Sequence, residues 1–234
     1  SAETTVVPVI LGVAWGHFLN DLMQSLIPAA YPLLKDNLAL TFTQIGLITF
    51  VFQGTASILQ PLVGLYTDRR PLPFALAAGM ASTGAGLILL AHAASFGIVL
   101  LSVAFIGLGS AIFHPEASRI ARLAAGMRPG FAQSVFQVGG NAGSALGPLA
   151  AAFIVLKQGQ TSIEWFAIVA LTGMVVLAMI GRWYQIAGAS RAAHRKARAA
   201  AMAPPPAIVR RGMPVLVLLM VSKFLYTVSF SSYY

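Results

Sequence analysis

Seven runs of about 20 or more mainly apolar residues follow one another along the chain, at about 7–33, 43–66, 74–94, 96–118, 131–156, 164–184 and 214–234. As helices, each is long enough to cross a hydrocarbon core of ~30 Å. None alternates with a period of two, and Gly, Ala and Leu recur throughout. The pattern therefore predicts transmembrane helices, not barrel strands. The expected fold class is all-α, a polytopic membrane helix bundle. Spans 1 to 6 form one bundle over residues 1–184. A linker covers 185–213, and span 7 at 214–234 reads as the start of a second bundle.

Composition agrees with a lipid solvent. The chain of 234 residues is 58% hydrophobic and 9% charged, against roughly 25% charged in a soluble domain. There is no cysteine, so disulfide and thiolate chemistry are excluded. We expect no cleaved signal peptide, because the first run is too long for a signal core and lacks a basic flank. The net charge of +9 does not imply nucleic acid. Basic residues follow the even-numbered spans: Arg69 and Arg70, then Arg119, Arg122 and Arg128, then seven between Arg182 and Arg211. The opposite connections hold only Lys35 and Lys157. This asymmetry predicts a cytoplasmic N-terminus. The linker is basic, Ala-rich and broken by Pro204, Pro205 and Pro206. It reads as a cytoplasmic segment, either held near anionic headgroups or simply solvated.

Polar residues inside the spans carry the candidate chemistry. In span 1, His17, Asp21, Gln24 and Pro28 share one helical face, flanked by Asn20. Asp21 falls near the midplane, where a carboxylate costs at least ~2.5–3.5 kcal/mol. Burial disfavours its charged form, so a carboxyl whose access to water changes is suited to carrying a proton. A purely structural acid held by Asn20 is the alternative. His17, one turn away, is a candidate relay. In span 4, "GLGSAIFHPEASRIAR" offers His114 on one face and Glu116 with Arg119 as i, i+3 partners. Glu116 is either a second proton site or half of an ion pair that fastens the helix end. Pro115 is expected to kink this span. In span 5, Gln133, Gln137, Asn141, Ser144 and Pro148 form one stripe, and Gly139, Gly143 and Gly147 another. Small residues four apart let a neighbouring helix approach closely. Span 2 carries Gln53, Ser57, Gln60 and Gly64 on a face and ends at Asp68 and Arg69. Lys223 lies near the middle of span 7, where it could pair with Asp21 or with an anionic solute. Spans 3 and 6 lack acids and bases in their cores and read as apolar support helices.

"GLYTDRR" resembles the loop-2/3 motif of the major facilitator superfamily, on Gly64, Asp68 and Arg69, although Pro71 departs from its continuation. "GSALGP" resembles the span-5 motif of that superfamily's antiporters, on Gly143, Gly147 and Pro148, with Ala151 and Ala152 where the motif has glycines. More specifically, "HFLNDLMQSLIPAAYPLLKD", "GLGSAIFHPEASRIAR" and "QSVFQVGGNAGSALGP" resemble the fosmidomycin-resistance family of bacterial efflux carriers. The resemblance implies a major-facilitator fold whose second six-helix half completes it, and spans 1, 4 and 7 facing a central cavity. It also implies proton-driven export of small antibiotics, such as the phosphonate fosmidomycin, across the bacterial inner membrane.

On that basis the expected proton-coupling residues are Asp21, Glu116 and His17. The solute-binding set is His114, Asn20, Gln24, Gln137, Asn141 and Lys223. The gating set is Gly64, Asp68, Arg69, Arg119, Gly143, Gly147 and Pro148. No cofactor and no metal are assigned; His114 and Glu116, two residues apart, have poor helical geometry for a shared ion. The expected partners are a small-molecule solute, protons, the lipid bilayer and the second half. A proton symporter of a native metabolite and a non-transporting membrane sensor or accessory subunit remain alternatives. An enzyme is disfavoured, since the sequence lacks HExxH and GxSxG motifs and a clear pair of carboxylates.

Overall fold

The computed structural model describes residues 4–70 and 72–188, with scattered positions and short runs between 190 and 222. It divides into two units, Ser1–Ala192 and Ala193–Tyr234. In the second unit, the described positions from Ile208 to Ser222 are helical. Lys223, most of the predicted linker and the rest of the seventh span lie outside the described residues.

In the first unit, prolines and caps set the helix ends. Helix α1 (Val7–Ala29) has Pro8 in its first turn, where a missing N–H costs nothing. The sequence predicts a single span to about residue 33. Instead α1 stops at Ala29, and a short α2 (Tyr31–Asn37) follows with Pro32 in its first turn. Pro28 and Pro32 each remove a backbone donor, and that breaks the ladder here. Helix α3 (Phe42–Arg69) opens with a capping box: the Gln44 amide donates to Thr41 Oγ1, and the Thr41 amide donates to Gln44 Oε1. Helix α4 is Ala75–Ala91. Helix α5 (Phe96–Ala124) is capped by Ser95 and runs through Pro115 as one helix. Helix α6 (Pro129–Ala150) passes into a π-helical turn at Ala151–Val155 and a last turn, α7 (Leu156–Gln158). Gly159, at φ 86°, ends that run. A 3₁₀ turn (Gln160–Glu164) leads into α8 (Trp165–Trp183), which continues as a π-helical turn at Tyr184–Gly188.

Among the described residues, four helical runs are long and apolar enough to cross a membrane: Phe42–Arg69, Phe96–Ala124, Pro129–Gln158 and Gln160–Gly188. Ala75–Ala91 is apolar but shorter. Helix α1 is long enough at 23 residues. Its hydropathy is lowered by His17, Asn20, Asp21 and Gln24 in its middle, the residues that make it interesting.

The helices pack α6 on α1, α1 on α8, α8 on α4, α4 on α5 and α5 on α3, and α1 also touches α5. Helix α4 is therefore enclosed between α5 and α8, with Leu76, Met80 and Leu87 fully buried. The sequence reads it as a support helix, and its apolar surface faces protein over much of its circumference.

The α1–α6 contact is the closest approach relevant to function. A Cβ added at Gly139 would lie 2.2 Å from the Ala14 carbonyl oxygen, at Gly143 2.1 Å from that of Phe18, and at Gly147 2.6 Å from that of Leu22. The four-residue step on α6 thus meets a four-residue step on α1. Only glycine fits this stripe without parting the helices.

Candidate functional site

One face of α1 carries His17 and Asp21 one turn apart. Helix α5 crosses beside it and brings His114, while α6 supplies Phe136, Gly140 and Ser144. The three titratable groups converge. His17 Nε2 lies 3.4 Å from Asp21 Oδ2, and His114 Nε2 lies 3.4 Å from Asp21 Oδ1. Their side chains are 6%, 19% and 29% exposed for His17, Asp21 and His114. The cluster is enclosed yet open on one side.

Each histidine is fixed from behind. His17 Nδ1 donates to the Phe136 carbonyl oxygen at 2.8 Å, and its ring stacks on Phe136 with centroids 4.0 Å apart. His114 Nδ1 donates to the Ser110 carbonyl oxygen at 3.0 Å. A carbonyl can only accept, so Nδ1 carries the hydrogen in His17, and in His114 whenever it bonds the Ser110 carbonyl rather than accepting from the Ser110 hydroxyl at 3.2 Å. In the neutral imidazoles both Nε2 atoms then present lone pairs to the same carboxylate. A proton between each nitrogen and its oxygen relieves that repulsion.

Asp21 has two further partners. Asn20, fully buried, donates from Nδ2 to Oδ1 at 3.0 Å, and Ser144 Oγ lies 3.4 Å from Oδ2. Asn20 Oδ1 and Gln24 Nε2 are buried without a hydrogen-bond partner. Asp21, Gln24, Ser25, Pro28, Phe52, Gln53, His114 and Ser144 line a cavity of about 270 Å³. Gly140 makes room for the cluster, since a Cβ there would lie 2.4 Å from the His17 ring.

A second polar cluster forms elsewhere. Glu116, 1% exposed, pairs with Arg119 one turn along α5. Arg119 also donates to the Thr67 carbonyl oxygen at 3.0 Å and lies 5.4 Å over the Tyr184 ring. It ties α5 to the end of α3 and to the π-helical turn after α8. Asp68 and Arg69 end α3 and are exposed. Gly64 faces Pro115, where an added Cβ would meet the proline Cβ at an ordinary 3.8 Å.

Thus the structure joins His17, Asn20, Asp21, Gln24 and His114, and keeps Glu116 apart with Arg119. Gln137 and Asn141 are exposed on α6 and do not line the Asp21 cavity. Gly143 and Gly147 face α1, whereas Pro148 is exposed. The sequence reading did not place Gly140, Phe136, Ser25 or Phe52 at the site, nor Thr67 and Tyr184 at the Arg119 cluster. Ser144 and Gln53 were visible as members of polar stripes. The carbonyl of Phe136 leaves no signal in a sequence.

The sequence signature of the Major Facilitator Superfamily matches residues 13–234. The chain belongs to that superfamily. It is 51% identical over 231 residues, 96% of its length, to the fosmidomycin resistance protein of Escherichia coli (strain K12), covering 55% of that protein. It is 48% identical over 181 residues, 77% of its length, to the uncharacterized MFS-type transporter YfnC of Bacillus subtilis (strain 168), covering 44% of it. The chain thus spans about half the length of the curated relatives it matches. The family match and the all-helical bundle make this a partial major-facilitator fold in a multi-pass membrane protein.

Proposed function

We propose that this chain contributes the first helical bundle of a carrier that exports small antibiotics, such as fosmidomycin, across the bacterial inner membrane in exchange for protons. The observation that carries the reading is the convergence of two Nε2 atoms on the Asp21 carboxylate at 3.4 Å each, beside a cavity. Removing the bridging protons leaves lone pairs facing a carboxylate. Hydrogen-bond donors of a solute entering the cavity relieve the same repulsion. Solute and protons then compete for the Asp21 oxygens, and that competition is what exchange requires. Alternating access by rocking of the two bundles would present the cavity to each side in turn. The glycine stripe of α6 holds α1 and α6 together as one body during that motion. The Glu116–Arg119 pair, bonded to Thr67, which Asp68 and Arg69 follow at the end of α3, fastens the end of the bundle. The positive charge after even-numbered spans puts this end, and the N-terminus, in the cytoplasm.

One observation favours a second reading. With a proton on each histidine the cluster carries net positive charge, which would hold an anionic solute more tightly when protonated. That is the behaviour of cotransport. Proteoliposomes of the full-length protein separate the two. Exchange accumulates labelled fosmidomycin in vesicles with an acidic lumen; cotransport accumulates an anionic solute in vesicles with an alkaline one. No accumulation in either direction, with protein correctly inserted, would sink both.

A further inference from the structure

We infer that His17, Asp21 and His114 form a binding site for a divalent transition-metal ion of the zinc class. The inference stands on geometry and does not depend on the transport reading. One ligand atom from each residue lies within 4.8 Å of the other two. Two imidazole nitrogens and a carboxylate are a donor set that suits zinc and its neighbours rather than magnesium or calcium.

The spacing supports this assignment. A charge-assisted N–H···O contact closes to about 2.7–2.9 Å. Both nitrogen–oxygen gaps here are 3.4 Å. Around an ion with ligands at about 2.0–2.1 Å, the edge of a tetrahedron is about 3.3–3.4 Å; each nitrogen already stands at that separation from one oxygen of Asp21, His17 from Oδ2 and His114 from Oδ1, so a small turn of the carboxylate would bring a single oxygen to both.

The surroundings also suit a metal. Histidines that bind metal characteristically donate their other ring N–H to a carbonyl or carboxylate. His17 does so to Phe136 and His114 to Ser110, which leaves both Nε2 lone pairs aimed at the third ligand. Asn20 Nδ2 donates to Asp21 and fixes the carboxylate plane. Of the three ligands, Asp21 and His114 line the cavity of about 270 Å³. A fourth position would therefore open toward it, for a water or an anionic oxygen ligand. Metal and bridging protons need the same lone pairs, so the two occupancies exclude one another.

The test uses the full-length protein, purified in detergent after its affinity tag is removed. Zinc is titrated by equilibrium dialysis against wild type, Asp21→Asn, His114→Gln and the control His92→Gln. His92 pairs with Glu164, outside this cluster. We expect one zinc ion that wild type and His92→Gln hold alike and that Asp21→Asn and His114→Gln hold at least about tenfold more weakly. Cobalt added to wild type alone should give the intense visible absorption of a tetrahedral site, bleached by one equivalent of zinc. This readout does not require any variant to fold. Absence of stoichiometric zinc binding, or equal affinity in all four proteins, would overturn the assignment. So would a cobalt spectrum of the weak octahedral type.

Discussion

Two carboxylates sit inside one helical bundle, Glu116 buried and Asp21 half-buried, and their partners give them opposite characters. Glu116 is bound to Arg119, a guanidinium that does not lose its charge. Arg119 is engaged in turn by the Thr67 carbonyl and the Tyr184 ring. This pair joins α3, α5 and the end of α8. Asp21 is bound instead by two histidines, the side chains whose charge does change there, and it opens onto a cavity. Under the proposed function the same chemical group is a fastener in one place and a switch in the other. The two differ in exposure, 1% for Glu116 against 19% for the Asp21 side chain, and in the nature of the neighbouring cation.

The largest effect is expected from removing the charge of the fastener. Glu116→Gln leaves Arg119, whose side chain is 11% exposed, as a buried cation without a counter-ion. Losing one partner of a buried pair costs about 3–5 kcal/mol, visible as a lowered unfolding temperature in detergent. Molecules that remain folded should still release protons when solute binds. Loss of proton release with unchanged stability would reverse the roles assigned to the two acids.

A smaller effect is expected from Gly140→Ala, which disturbs the switch without touching a titratable group. The new methyl would fall 2.4 Å from the His17 ring. Overpacking of this kind costs about 1–3 kcal/mol. It also displaces Nε2 from Asp21, so solute-driven proton release should fall by more than stability does. Full coupling in this variant would show that the position of His17 is immaterial.

The smallest effect belongs to Gly64→Ala. Its neighbour Pro115 leaves room at 3.8 Å, and alanine in a helix interior is favoured over glycine by roughly 0.5–1 kcal/mol. We expect an equal or slightly higher unfolding temperature and unaltered transport. A strong transport defect would mean that Gly64 meets another surface at close range in a second conformation.

The sequence carried these elements to different depths. Apolar runs locate the helices, because a lipid-exposed helix must be apolar along its length. Their ends were less legible. Span 4 was expected to end near 118, whereas α5 continues to Ala124. A hydropathy window stops at Glu116 and Arg119 because it cannot know that the two neutralise one another inside the bundle. The α6 glycine stripe was visible as a surface for close packing, but its partner α1 was not. At the site, the i, i+4 relation of His17 and Asp21 follows from helical geometry alone. The approach of His114 depends on how α5 packs across α1, and the sequence reading assigned that residue to solute binding without Asp21 beside it. The i, i+3 pairing of Glu116 with Arg119 was legible, being local to one helix. Its burial against Thr67 and Tyr184 was not.

The most direct measurement is the release of protons when solute is added to the full-length protein in weakly buffered detergent solution, in wild type and in Asp21→Asn. We expect wild type to release protons on binding fosmidomycin and the variant to release none while remaining folded. Release from Asp21→Asn equal to that of wild type would contradict the assignment of Asp21 as the group at which proton and solute compete.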